Sequence, residues 1–162
     1  MTVPTMQGSR VTPRAFYRAV AIAEAVTWTG LLLGMALKYG LDMPVAVLVA
    51  GSIHGLVFIT YALTAGLVGV NQRWPSGRIA FAVATAIIPY ATIPFDRHLE
   101  RRNLLDGQWR RIATGDPRDQ QMLSRLLHFF LARPVTLGVV FVAAVLTIMT
   151  TMLVIGPPGG WK

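Results

Sequence analysis

The stretch Phe16–Lys38, FYRAVAIAEAVTWTGLLLGMALK, decides the fold class. It is long enough to cross a bilayer core, which takes ~20 apolar residues, and it carries one acid in its middle, Glu24. A second block follows after a short turn: Val45–Val70, VAVLVAGSIHGLVFITYALTAGLVGV, with His54 as its one ionisable residue. Both blocks predict membrane-spanning helices. A titratable group at membrane depth is costly, so each needs a partner or a task.

Working outward, Ile79–Phe95 forms a third, shorter block containing Pro89 and Pro94. Proline removes a backbone hydrogen bond and bends a helix, so the block predicts a kinked span, with a re-entrant segment as the alternative. Pro134–Ile155 is a fourth block without any ionisable group. The expected fold is thus all-α: a polytopic membrane bundle of four transmembrane helices, the third proline-kinked, plus an interfacial amphipathic helix. Composition agrees, since 54% of the 162 residues are hydrophobic and only 14% charged, against about a quarter charged in soluble domains. The residues before Pro13 are polar and the first block is too long for a signal h-region, so no cleavable leader is expected. The reading is a multi-pass plasma-membrane protein.

Residues 96–133 differ in kind, with eight arginines at 97, 101, 102, 110, 111, 118, 125 and 133. The formal net charge of +8 would suggest nucleic acid in a soluble chain, but arginines beside apolar blocks point to anionic headgroups. Arg101, Arg102, Arg110 and Arg111 are the candidate headgroup contacts, and nucleic acid is not an expected partner. Asp116-Pro117-Arg118-Asp119 reads as a helix start. Beyond it, Met122, Leu123, Leu126, Leu127 and Phe130 share a face opposite Gln121, Ser124, Arg125 and His128. That helix lies either in the membrane interface or packed on the bundle. Four spans put nine cations, counting Lys38, on the loop side and six on the other. The positive-inside rule then makes the loop cytoplasmic and both termini external. The first block alone argues for an internal N-terminus, and a re-entrant third block satisfies both.

Small residues set the expected packing. Gly30 and Gly34 in the first block, and Gly51, Gly55 and Gly66 in the second, form stripes that let membrane helices approach closely. At 1.5 Å rise per residue, Glu24 lies ~12 Å and His54 ~13 Å from the starts of oppositely running helices. A Glu24–His54 hydrogen bond or ion pair is therefore expected, with the Tyr61 or Tyr90 hydroxyl able to join. Such a pair serves either to hold two helices in register or as a proton relay or ligand site.

In order and spacing, Arg18-x-x-Ala21-x-x-Glu24-Ala25-x-x-Trp28, Met35-x-Leu37-Lys38-Tyr39 and Gly51-x-Ile53-His54-Gly55-x-x-Phe58-x-x-Tyr61 resemble a known family. So does Pro89-x-x-Thr92-x-x-Phe95-Asp96-Arg97. The family consists of small bacterial integral membrane proteins of unknown function, marked by an intramembrane His-Gly dipeptide. The resemblance implies a three-helix core over residues 1–98 with Arg18, Glu24, Lys38, His54 and Gly55 as signature positions. It makes 99–162, with the basic loop, amphipathic helix and fourth span, an extension. The family brings no assigned activity.

Chemistry is mostly excluded. The chain has no cysteine, hence no thiolate ligand or cysteine nucleophile. One histidine at membrane depth does not supply the two axial ligands of a b-type haem, and one glutamate with one histidine is too few for a metal. No phosphate loop or G-x-S-x-G elbow is present. No cofactor and no metal are expected, and no enzyme. The leading expectation is an accessory, scaffold or assembly partner of a larger membrane system, found as a homo-oligomer or with a membrane-protein partner. The alternative is a small transporter or a proton- or quinone-handling subunit centred on Glu24 and His54.

Overall fold

The computed structural model describes residues 11–113 and 115–156, without the Arg118 side chain. The chain is all-helical among these residues: α1 (Pro13–Leu41), α2 (Pro44–Asn71), α3 (Ser76–Thr85), α4 (Thr92–Arg101), a 3-10 turn (Pro117–Gln120), α5 (Met122–Leu131) and α6 (Pro134–Ile155). Arg10, Lys162 and the C-terminal Gly156-Pro157-Pro158 stop beyond its first residue lie outside the described residues.

Local chemistry sets the first hairpin. The Thr12 hydroxyl accepts from the Ala15 amide at 3.1 Å, capping α1, and Pro13 sits at the first helical position where its missing N–H is no loss. At the other end Asp42 takes the left-handed conformation (φ 53°) that Asp tolerates better than most residues. Pro44 then opens α2 at once. A two-residue turn leaves α1 and α2 no choice but to pack antiparallel along their length.

The third block corrects the expectation of a kinked span. Pro89 does not bend one helix; it falls in the turn between two, and Tyr90 beside it has φ 63°. Pro94 lies in the first turn of α4, where an absent N–H costs no bond. At ten residues each, α3 and α4 are about 15 Å long, half of a ~30 Å bilayer core. Their neighbours show the path. α3 runs back along α2, with Ile79 against Gly69 and the Thr85 hydroxyl 3.4 Å from that of Tyr61. α4 runs back along α1, with Thr92 at Glu24 and Glu100 at Arg14 and Arg18. The block is a hairpin that returns to the side it left. Among the described residues three helices, α1, α2 and α6, are long and apolar enough to cross a membrane.

The core follows from this hairpin. Tyr17, Ala21, Tyr61, Ala65, Val68, Ala82, Ala86, Phe95 and Leu99 bury together in the half of the α1–α2 pair that α3 and α4 cover. In the other half α1 and α2 leave Leu33, Val45 and Val49 exposed, as lipid-facing surface would. α6 rests lightly on α2, burying Val145 and setting Met149 against Gly55.

The glycine stripes divide on inspection. A Cβ on Gly34 would come within 2.9 Å of the Ala46 carbonyl, so this glycine sets the α1–α2 separation. Gly51 and Gly55 face ordinary contacts, to Leu31 and to Met149 of α6. A Cβ on Gly30 or Gly66 would meet nothing within 4 Å, so these two set no approach. Gly69 is the tightest, since a Cβ there would come within 2.6 Å of the Ile79 side chain where the hairpin packs.

The basic segment is tied to the end of α2. Arg73 reaches both Asp119 oxygens at 3.0 Å and Asp116 at 3.3 Å. Arg110 donates to Asp119 and to the Val70 and Asn71 carbonyls at the α2 C-terminus, while Asn71 Oδ1 accepts from the Arg110 amide at 2.8 Å. Here the expectation of a helix start at Asp116 is corrected. What starts there is a single 3-10 turn, Pro117–Gln120, in which Asp119 meets two arginines, and α5 begins separately at Met122. Arg110 is also corrected as a headgroup contact, being mostly buried in this network. Burial and the neighbouring Arg73 draw its guanidinium below the usual arginine range, with Asp119 opposing. Arg101, Arg102 and Arg111 are exposed.

α5 is two-sided. Ser124, Leu127 and Leu131 pack inward, while Met122, Leu123, Leu126 and Phe129 are exposed. Leu127 thus leaves the face expected of it, and Phe129 joins that face with Arg133 over its ring.

Candidate functional site

Glu24 is fully buried and His54 nearly so, at 0% and 7% exposure, but they are not bonded to each other. The expected pair is replaced by two separate attachments. Thr92 Oγ1, from the hairpin, donates to Glu24 Oε2 at 2.8 Å. His54 Nδ1 lies 3.1 Å from Thr27 Oγ1, whose single proton goes to the Glu24 backbone carbonyl at 2.9 Å. Thr27 thus bridges the His54 ring on α2 to the α1 backbone beside Glu24. The Trp28 indole covers the imidazole, with ring centroids 4.4 Å apart.

The reason the pair does not form is the third partner. Trp28, one turn beyond Glu24, donates from Nε1 to the Ala86 carbonyl at 3.1 Å. The hairpin apex thereby wedges in, and Glu24 turns to it rather than to α2. Neither tyrosine joins as expected. Tyr61 bonds the Tyr17 hydroxyl at 2.7 Å, and Tyr90 meets Thr29 at 3.1 Å.

The other signature positions are placed at the ends. Arg18 pairs with Glu100 at 2.9 Å, fastening the hairpin's outgoing leg to α1. Lys38 lies near the far end of α1 with its ammonium 5.3 Å from the Tyr39 ring centroid. Gly55 contacts α6. Of these residues, the structure gathers Glu24 and His54 within one polar layer and leaves Arg18, Lys38 and Gly55 outside it.

Sequence reasoning missed Thr92, Trp28, Thr27 and Tyr17 as parts of this layer. Tyr17 and Trp28 were legible, since they fall seven before and four after Glu24 on its helix face. Thr92 was not, because its approach depends on the hairpin. Glu24 Oε1, Thr64 Oγ1 and Asp96 Oδ1 are buried without a hydrogen-bond partner among the described residues. No group of three or more His, Asp or Glu could hold a metal ion among the described residues.

A family model described as Domain of unknown function (DUF3817) matches residues 14–101. The chain belongs to the DUF3817 family. The matched stretch holds almost all of α1 and the whole of α2, α3 and α4, with every residue of the polar layer. The Streptomyces coelicolor protein SCO5905, described as a membrane protein, is 42% identical over 79 residues, 48% of this chain and 9% of that relative. The uncharacterized membrane protein YdzA of Bacillus subtilis (strain 168) is 33% identical over 89 residues, 54% of this chain and 93% of YdzA. The chain therefore spans a small fraction of one relative and nearly all of the other. No solved structure matches it. With three apolar helices of spanning length, this DUF3817 member is a multi-pass membrane protein.

Proposed function

We propose that the protein is a non-enzymatic accessory or assembly partner of a larger membrane system, built on the DUF3817 core. The carrying observation is that this core makes up nearly the whole of one relative and 9% of another. A unit that stands alone in one protein and is joined to a far longer membrane chain in another behaves as a module that works beside a partner. The polar layer fits that role, because its hydrogen bonds are spent on holding α1, α2 and the hairpin together. Exposed apolar surface on α6 offers room for a second copy or a partner helix.

Sidedness belongs to the same reading. The hairpin starts and ends at the α1 N-terminal end of the bundle, where the arginines cluster, while Lys38 lies at the other. The positive-inside rule then places the N-terminal end and the basic segment in the cytoplasm. There, α5 lies on anionic lipid with Met122, Leu123, Leu126 and Phe129 dipping in, and Arg101, Arg102 and Arg111 meet the headgroups.

Purification in mild detergent is expected to recover the chain with a stoichiometric partner or as a homo-oligomer. A lone monomer at every detergent concentration overturns the proposal. One observation favours a second reading, a proton- or quinone-handling subunit or small transporter: Glu24 Oε1 is buried without a hydrogen-bond partner among the described residues. Glu24→Gln and His54→Ala separate the two. A relay loses activity while folding normally, whereas a scaffold loses stability or partner binding.

A further inference from the structure

A groove of about 460 Å³ runs along α1 where α4 leans against it, a volume in the usual range for small-molecule sites. Ile22, Ala25 and Val26 of α1 and Ile93 of α4 make apolar walls. The Thr29 and Tyr90 hydroxyls close its inner end. Arg18, Asp96, Arg97 and Glu100 surround its outer end. From Arg18 to Thr29 is eleven residues of helix, about 16 Å. Arg18 itself lies roughly 13 Å from the middle of α1, the depth at which a ~30 Å core gives way to headgroups.

The outer end is only partly satisfied. Arg18 is paired with Glu100. Arg97 is exposed and makes no ion pair among the described residues. Asp96 is only 8% exposed, and its Oδ1 has no hydrogen-bond partner among them. The terminal torsion of an aspartate is soft and two-fold, so either oxygen can turn to the groove. The site thus offers one free cation and one buried carboxylate lacking a donor, adjacent in sequence, above an apolar channel.

We propose that this groove is a binding site for a bilayer aminophospholipid. Its phosphate sits on Arg97, its primary ammonium donates to Asp96, and an acyl chain lies along Ile22, Val26 and Ile93. Two cations and two anions line the outer end, and Arg14, which shares Glu100 with Arg18, is matched by Asp106 at 3.6 Å, so a zwitterionic head suits the site better than a singly anionic one. The missing donor at Asp96 selects an ammonium with N–H groups over a quaternary one, which has none to give. Phosphatidylethanolamine satisfies both conditions, whereas phosphatidylcholine meets only the first.

The test is native mass spectrometry of the full chain in detergent, titrated separately with dioleoyl phosphatidylethanolamine, phosphatidylcholine and phosphatidylglycerol. Ethanolamine lipid is expected to bind about tenfold more tightly than choline lipid, the equivalent of one charge-assisted hydrogen bond. Asp96→Asn is expected to erase that preference, and Arg97→Gln to weaken both zwitterionic lipids alike. Ile93→Trp, which fills the groove, is expected to abolish the selective binding. Equal binding of ethanolamine and choline lipid overturns the proposal. So does preference for phosphatidylglycerol, or selectivity that survives Ile93→Trp. Should Asp96→Asn fail to fold, the three-lipid comparison on the native chain still decides.

Discussion

The Trp28 indole donates to the Ala86 backbone carbonyl at 3.1 Å, which pins the hairpin apex at the middle of the first membrane helix. Ala86 follows the last residue of α3, where helix carbonyls lose their intrahelical partners. Trp28→Phe keeps an aromatic ring beside His54 but removes the donor together with part of the indole's bulk. It is expected to cost about 1–3 kcal/mol, the penalty for an unsatisfied buried carbonyl. Thermal unfolding in detergent measures it, and an unchanged midpoint would show that the apex is held by other contacts.

Within one Gly-x-x-x-Gly motif the two glycines should behave oppositely. Gly34→Ala places a methyl 2.9 Å from the Ala46 carbonyl and 3.0 Å from the Ala50 Cβ, overpacking that costs about 1–3 kcal/mol. Gly30→Ala enters open space and is expected to be neutral or slightly stabilising. Paired unfolding curves check this. A like effect at both positions would mean that the stripe, not the single contact, governs packing.

Asp119 is the centre of the network that fastens the basic segment to α2. Asp119→Ala leaves Arg73 and Arg110 without that carboxylate, and breaking a buried pair in this way costs about 3 kcal/mol. Faster limited proteolysis between Arg102 and Asp116 is the expected signature. Asp119→Asn should be milder, because it retains an acceptor for one arginine. Cleavage at the native rate in both variants would mean that the segment is held elsewhere.

The hairpin also changes the expected topology. Single cysteines at Leu41 and Gln108, in a chain with none of its own, report on the two ends of the bundle. An impermeant thiol reagent on intact cells is expected to label Leu41→Cys and spare Gln108→Cys. Reversed labelling would put the arginine-rich end outside and overturn the proposed orientation.

The residues by themselves determined that this is a membrane chain, where its long helices lie, and that Glu24 and His54 are buried at membrane depth. Those features follow from local hydrophobicity and rise per residue, which need no tertiary information. The path of the third block did not follow. Pro89 and Pro94 fit a kinked span or a turn equally well, and only the packing of Ala82 and Ala86 against α1 and α2 decided for a turn. That decision moved everything attached to it: Glu24 bonds Thr92 rather than His54, and Gly69 rather than Gly30 meets a close neighbour. Arg110 likewise left the headgroups for Asp119 and the end of α2, since which carboxylate an arginine meets depends on where a loop returns. Periodicity fixes the face a side chain occupies; the partner waiting at that face is set by contacts between segments far apart in the chain.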